Sequence, residues 1–380
     1  MEKIKISNFS SGTWVNQFEY KSFRPNLINR EWEVDDIELQ TLIADANRFL
    51  GELNAFSQLV PDIDFFIRMH INKEAVKSSQ IEGTYTTIEE ALMKEEEIKP
   101  EKRDDWKEVN NYIKAMDFAI KKLLKLPVSN RFIRDVHNIL LTGTRGETKQ
   151  PGEFRKSQNW IAGATIRDAV FIPPHHTELP MLMDDLEQFI NNEKINISEL
   201  LRIAITHYQF ETIHPFLDGN GRVGRLLITL KLVNRNLLVK PALYLSDFFE
   251  KNKILYYENL MKVRISNDMN QWLKFFMVGV IETSKNSIQA FKDIIELKEK
   301  IYSQKLNGLG KKRIKGELLL QELFKNPITS VTDVMQKIST TRPTANTLVK
   351  DFQKLGILRE LTGFKRNRIF LFSDYIKIFL

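Results

Sequence analysis

Twelve residues constrain this chain more than any others: His214-Pro215-Phe216-Leu217-Asp218-Gly219-Asn220-Gly221-Arg222-Val223-Gly224-Arg225. Ahead of them, Leu200 to Phe210 places Leu200, Ile203, Ala204 and His207 near one helical face; behind them, Leu226, Leu227, Leu230 and Val233 recur at helical spacing. The stretch is therefore predicted as a tight loop between two helices, feeding the N-terminus of the second. Gly219, Asn220 and Gly221 can turn their backbone N–H groups inward, as an anion-binding nest does. The positive end of the following helix adds roughly 0.3–1 kcal/mol to that attraction. Arg222 and Arg225, at i and i+3, project from one side of the first turn, and guanidinium forks suit phosphate oxygens. Asp218 makes little sense as an anion partner here. It suits Mg²⁺, which binds through one or two carboxylates plus substrate phosphates. His214 is the only group in the stretch with an ordinary pKa near neutrality, and so the natural general base. Together these residues predict a phosphate-binding, metal-assisted transfer site with its own base.

The stretch resembles the Fic family signature, His-x-Phe-x-Asp/Glu-Gly-Asn-Gly-Arg-x-x-Arg, and matches it at every defined position. That resemblance implies a protein adenylyltransferase that moves AMP from ATP to a Tyr, Ser or Thr hydroxyl of a target protein. It implies ATP phosphates over Gly219–Gly221, with Asn220 and Arg222 on the α- and β-phosphate oxygens and Arg225 on the γ-phosphate. Mg²⁺ on Asp218 would bridge the α- and β-phosphates, and His214 would take the hydroxyl proton. Phe216 would anchor the loop in the core. The resemblance also sets the helix Lys251 to Val263 beside the nucleotide; Tyr257 is the candidate for the adenine pocket, with core packing an equal explanation for the Tyr256-Tyr257 pair.

A second segment, Ser78-Ser79-Gln80-Ile81-Glu82-Gly83, resembles the family's inhibitory motif, Ser/Thr-x-x-x-Glu-Gly/Asn. A carboxylate held near two free arginines pairs with one of them. By resemblance the pair is Glu82 with Arg225, which would keep ATP in an unproductive pose. Taken alone, the spacing is also that of an exposed glutamate before a helix-ending glycine.

Between Gly143 and Pro174 the helical period disappears. Asn159-Trp160-Ile161, Gly163 and Ala169-Val170-Phe171-Ile172 read as a β-hairpin, in the place of the family's flap. By resemblance, a target protein would add a strand along about 160–172. His137 lies on the apolar stripe of a helix capped by Ser129 and reads as a core histidine. His175 and His176 point apart on regular backbone and are not read as metal ligands.

The net charge of +7 belongs to one end of the chain. Residues 311–380 hold 14 of the 56 basic and 6 of the 49 acidic side chains, so the rest is near neutral. Beyond the linker candidate Asn307 to Lys312, three helices and two strands (Ile357 to Arg359, Arg368 to Phe372) read as a winged helix-turn-helix, with Thr341 to Lys354 as recognition helix. DNA contact through 311–380 is expected from its basicity and weakened by Asp351 inside that helix; the same fold also serves protein docking or dimerisation.

The fold class is thus mainly α: a Fic-type helical bundle with a β-hairpin flap and a C-terminal winged helix. Residues 1–120 form the N-terminal helical region with the inhibitory motif, 121–300 the catalytic core and 311–380 the C-terminal domain. With no cysteine, thiolate zinc sites and disulfides are excluded. The N-terminus lacks a signal-peptide core, and no uncharged apolar run reaches the ~20 residues of a membrane span. A cytoplasmic protein, with no membrane contact, is expected. Homodimerisation is left open. Three other readings stand beside AMP transfer: transfer of another phosphate-containing group, hydrolytic AMP removal with Glu82 orienting water, and a DNA-binding regulator that modifies only itself.

Overall fold

The computed structural model describes residues 3–59, 63–123, 125–363 and 366–380. The N-terminal stretch, where the sequence has no clear period and an extended arm is expected at Pro25 to Asn29, carries four short strands: β1 (Lys3–Lys5), β2 (Gly12–Asn16), β3 (Lys21–Pro25) and β4 (Glu31–Glu33). β1 pairs parallel with β4, and β2 with β3 as a hairpin that sets Trp14 opposite Phe23. Strands this short cannot show a period. The arm does pack on the body: Ile28 and Trp32 are buried, and Asp185 accepts the Ile28 N–H at 2.7 Å.

α1 (Ile37–Leu59) runs through Gly51, a residue type that commonly ends a helix. Glycine inside a helix costs roughly 1 kcal/mol, and the buried stripe Leu39, Ala46, Leu50 and Leu53 outweighs it. α2 (Ile63–Ile81) carries Ser78 to Ile81 in its last turn, with Glu82 and Gly83 just past its end; a start at Pro61-Asp62, as the sequence reads, lies outside the described residues. α3 (Ile88–Leu92) opens on a Thr87–Glu90 capping box. α4 (Arg103–Leu123) and α5 (Asn130–Leu141) follow, α5 capped by Ser129 as expected. α6 (Leu179–Asn191) leads to α7 (Glu199–Ile213) and α8 (Asn220–Asn234). Every residue of α7 from Leu200 onward is buried. α7 and α8 pack against each other at the centre, with α6 and α11 (Met269–Lys300) against α7, and α2, α4 and α5 against α8.

The single helix expected from Lys251 to Val263 is broken at Asn252 into α9 (Ser246–Lys251) and α10 (Lys253–Ser266). α11 (Met269–Lys300) continues as a wider turn to Lys305. The expected linker at 307–312 forms helical turns broken by a kink at Gly310 (φ +52°), and Leu306 and Leu309 are buried. The C-terminal region then gives α12 (Arg313–Lys325), β5 (Ile328–Ser330), α13 (Val331–Lys337), α14 (Arg342–Lys354), β6 (Arg359–Glu360), β7 (Ile369–Leu371) and α15 (Ser373–Lys377). β5, missed in the sequence, joins the two expected strands in an antiparallel sheet ordered β5-β7-β6. This region packs on α2: the Phe66 ring lies 6.1 Å from Phe324 and 6.4 Å from Tyr375. Among the described residues no helix is long and apolar enough to cross a membrane.

Candidate active site

The predicted loop between helices is the α7–α8 connection. His214 ends α7 in the left-handed region at φ +50°, an uncommon place for a residue with a Cβ. Its carbonyl accepts from Arg155 Nε at 3.0 Å and from Asn159 Nδ2 at 3.3 Å. The Phe216 ring is buried and stacks on His137 at 3.7 Å, so it anchors the loop as expected. His137 is a core residue too: Nδ1 accepts from Gly152 N–H and Nε2 faces the Asp218 carbonyl, both at 2.9 Å. Gly219 sits at φ +76° ahead of α8, which leaves the first-turn amides of Asn220, Gly221 and Arg222 at the helix's positive end.

The Asn220 side chain also braces the loop. Its Oδ1 accepts from Phe216 N–H and its Nδ2 donates to the Phe216 carbonyl, both at 2.8 Å. These two bonds leave the second N–H of the amide uncommitted.

Both arginines already hold carboxylates. Arg225 is buried, donating from Nε to Ser78 Oγ and from Nη2 to the Ser78 carbonyl, each at 2.9 Å, and from Nη2 to Glu82 Oε1 at 2.6 Å. Glu82 is 36% exposed, and a Cβ on Gly221 would lie 2.2 Å from its Oε1. The carboxylate thus rests on the face of Gly221, where an incoming phosphate would meet the helix. Burial pushes the Glu82 carboxyl up, but the charge and hydrogen bond of Arg225, with the charge of Arg222, outweigh it and leave the carboxyl below its ordinary range. Arg222 Nη1 lies 3.3 Å from Glu108 Oε2, and its Nη2 lies 3.4 Å from Asp218 Oδ1. Asp218 is 44% exposed and also accepts the Gly219 N–H at 2.6 Å.

Burial, with the charges of Arg155 and Arg264, pushes His214 down to about 3. It is thus a neutral imidazole well below pH 7, not a group that titrates near neutrality as its type suggests. The group near neutrality is one the sequence reading missed. Burial raises the Glu211 carboxyl to about 7 against the pull of Arg225, and its Oε1 has no hydrogen-bond partner.

Of the tyrosine pair, Tyr256 is core: it is buried, bonded to His207 Nε2 at 2.8 Å and stacked on Phe249 at 4.5 Å. Tyr257 is 39% exposed, and its electrostatic neighbours are Glu82, Arg225 and Glu211, which sets it beside the phosphate loop. The expected hairpin is reduced to one bridge, Ile161 with Phe171. Asp168 holds its tip, accepting the N–H groups of Ala164 and Thr165, and Pro173-Pro174 cannot extend a ladder because proline has no N–H. Past the bridge, Ile172 pairs instead with β3, accepting the Phe23 N–H at 2.9 Å.

Three residues that support the site went unread in the sequence: Arg155, Asn159 and Glu108. Nothing in periodicity marks the first two. Glu108 did leave a signal, being a carboxylate one turn from Tyr112 on the buried stripe of an amphipathic helix.

A helical bundle that presents helix-terminal amides and two buried-side arginines beside a neutral histidine defines a phosphate-handling domain. The chain belongs to the Fic/DOC family: residues 40–121 match the model "Fic/DOC family N-terminal" and residues 127–232 the model "Fic/DOC family". It is 30% identical over 172 residues to the protein adenylyltransferase Fic of Drosophila mojavensis, covering 44% of this chain and 31% of that protein. Its likeness to the Drosophila grimshawi protein of the same description is 29% over 172 residues, 44% of this chain and 32% of that one. The chain therefore spans about a third of the length of the curated relatives it matches. A crystal structure of a Fic family protein from Desulfovibrio desulfuricans shares the fold with a TM-score of 0.57 at 19% identity, covering 90% of this chain and 98% of that one. A Fic domain containing signaling protein from Bacteroides thetaiotaomicron does so with 0.51 at 20%, covering 67% and 97%.

Proposed function

We propose that this chain is a protein adenylyltransferase, transferring AMP from ATP to a Tyr, Ser or Thr hydroxyl of a target protein, and that Glu82 restrains it. The observation that carries this reading is the carboxylate of Glu82 on Gly221 and Arg225, the place and the partner an ATP phosphate needs. With Glu82 withdrawn, Arg225 holds the γ-phosphate, Arg222 and the amides of Gly219 to Gly221 the α- and β-phosphates, and Tyr257 borders the base. His214 takes the hydroxyl proton as the oxygen bonds to the α-phosphorus, and the bond to the departing pyrophosphate breaks in line. The target segment lies along residues 160–172, adding a strand beside the hairpin.

Among the described residues no three His, Cys, Asp or Glu side chains converge on a metal position. One exposed carboxylate, Asp218, in a phosphate site is nevertheless the donor set Mg²⁺ uses, the remaining ligands being phosphate and water. When bound, Mg²⁺ supplies neutralisation of the phosphate charge.

A second partner, nucleic acid, is proposed for residues 311–380. Asp351, the carboxylate that spoke against it, is tied to Lys312 at 2.6 Å, while Arg342, Lys350 and Lys354 of α14 are exposed. Duplex binding by the full chain that weakens steeply with salt supports this, and binding absent at low salt removes it.

The test of the main reading is intact-mass analysis after incubation with Mg-ATP, for the parent and for Glu82→Gly. Addition of an AMP mass, greater in the variant, is expected. Label retained from γ-labelled but not α-labelled ATP overturns AMP transfer in favour of another group.

A further inference from the structure

The turn that carries Glu82 is held from outside by α4. Thr84, buried two residues after Glu82, donates from Oγ1 to Glu108 Oε2 at 2.9 Å, and Arg222 Nη1 reaches the same oxygen at 3.3 Å. The other oxygen of Glu108 accepts from Arg145 Nε at 2.9 Å. One turn earlier on α4, Asp105 Oδ2 accepts the Tyr85 N–H at 2.9 Å, and its Oδ1 accepts from Arg145 Nη2 at 2.8 Å. One turn later, Tyr112 Oη donates to Glu74 Oε1 of α2 at 3.0 Å. One face of α4 thus fastens the inhibitory helix mid-length and the turn beyond it at two successive residues.

We infer that Glu108 is a positioning residue that fixes the inhibitory turn to the phosphate loop, joining Thr84 to Arg222 through one carboxylate. This rests on the reading of Glu82 as a brake and adds what holds the brake in place. Release of Glu82 from Gly221 is here a movement of the whole turn, in which Gly83 and Thr84 are bonded back to Gln80 and Ser79 of α2. Thr84 therefore moves with Glu82, and its bond to Glu108 must break. The arrangement also ties release to substrate. A phosphate arriving on Arg222 competes with Glu108 for the same guanidinium, so nucleotide binding loosens the carboxylate that grips Thr84.

Replacing Glu108 itself would strip both Arg145 and Arg222, so the test removes only the hydroxyl. Thr84→Val in the full chain keeps the side chain's shape and leaves the Glu108–Arg222 contact. Loss of one such hydrogen bond is expected to raise AMP transfer by roughly three- to tenfold over the parent. Thr84→Ser, which keeps the hydroxyl, retains the parental rate. In the Glu82→Gly background Thr84→Val changes nothing, because there is no brake left to hold. A merely structural role would not give that dependence on Glu82. Parental rates in Thr84→Val, with Glu82→Gly clearly faster than the parent, overturn this inference alone. An equal acceleration by Thr84→Val in both backgrounds overturns it as well. If Glu82→Gly is no faster than the parent, the reading beneath it falls, and this inference with it.

Discussion

The Arg155 guanidinium is bonded to the backbone of His214. Its Nε donates to the His214 carbonyl at 3.0 Å, while Nη1 and Nη2 donate to the carbonyls of Ser157 and Pro174 at 3.1 and 2.6 Å. One buried planar cation therefore ties the proposed base to both ends of the segment expected to align a target. Burial draws its pKa down to about 10, which keeps it charged at neutral pH.

Arg155→Lys should lower transfer by roughly ten- to a hundredfold while ATP binding changes little. A lysine ammonium is a point donor and cannot span three carbonyls in a plane, and a reacting group displaced by about 1 Å loses on the order of a hundredfold. Rates and nucleotide affinity measured together in the Glu82→Gly background check this. An affinity loss matching the rate loss would place Arg155 with the nucleotide instead.

Glu82→Gly should raise AMP transfer by roughly ten- to several-hundredfold. Competing with a partly buried charge pair costs on the order of a few kcal/mol, and each ~1.4 kcal/mol is a factor of ten. Arg225→Ala should not imitate it, since that change also removes a phosphate contact. Time courses with α-labelled ATP decide the matter, and a correctly folded Glu82→Gly protein at parental speed removes Glu82 as a restraint. Loss of AMP removal in that variant would point to the hydrolytic role.

Local pattern revealed the α7–α8 loop and the capping residue Ser129, because each is set by residues within about one turn; the pairing of Glu82 with Arg225 came only from the resemblance to the family's motif. What stayed hidden depends on partners far away in the chain. Asn220 gives no sign in the sequence that its amide braces the Phe216 backbone. His214 reads as a neutral-range base until burial and two arginines are counted. The strands β1 to β4 are too short for a period, and the hairpin at 161–171 is held by the Asp168 side chain more than by a ladder.

The contact between α2 and the C-terminal region gives a prediction about stability. Phe66 is 2% exposed and packs edge-on against Phe324 and Tyr375, while His70, one turn on, meets Phe379 at 5.2 Å. Phe66→Ala should cost roughly 3–5 kcal/mol of stability, as truncation of a buried aromatic does. Thermal unfolding with both regions monitored is the measurement. A loss under 1 kcal/mol would mean that the C-terminal region does not hold α2.

His214→Ala should cut transfer by roughly 10²–10⁴-fold and leave ATP binding nearly intact, since it removes a base and no phosphate contact. The pH profile is the sharper measurement. An exposed histidine would lose its basic form below 6.5. Burial, Arg155 and Arg264 hold His214 at about 3, so the neutral imidazole persists as pH falls through 6.5. Its share of stability is complete above 6.5 and declines as pH falls from there toward 3, because the unfolded chain takes up that proton first. His70 and His207, also lowered to about 3, add to the same decline. The rate should therefore be read between pH 8 and 6, where the fold is kept. Over that range kcat/KM of the Glu82→Gly protein is expected to show no halving centred on 6.5. Beside Arg225 the group that does titrate there is Glu211, raised to about 7; Lys231, lowered to about 7, sits farther along α8 against the Ile190 carbonyl. Protonation of the Glu211 carboxyl removes a negative charge near Arg225, so any residual slope should vanish in Glu211→Gln. A limb at 6.5 that survives in Glu211→Gln would show His214 titrating as an ordinary histidine and would take away the preset neutral base.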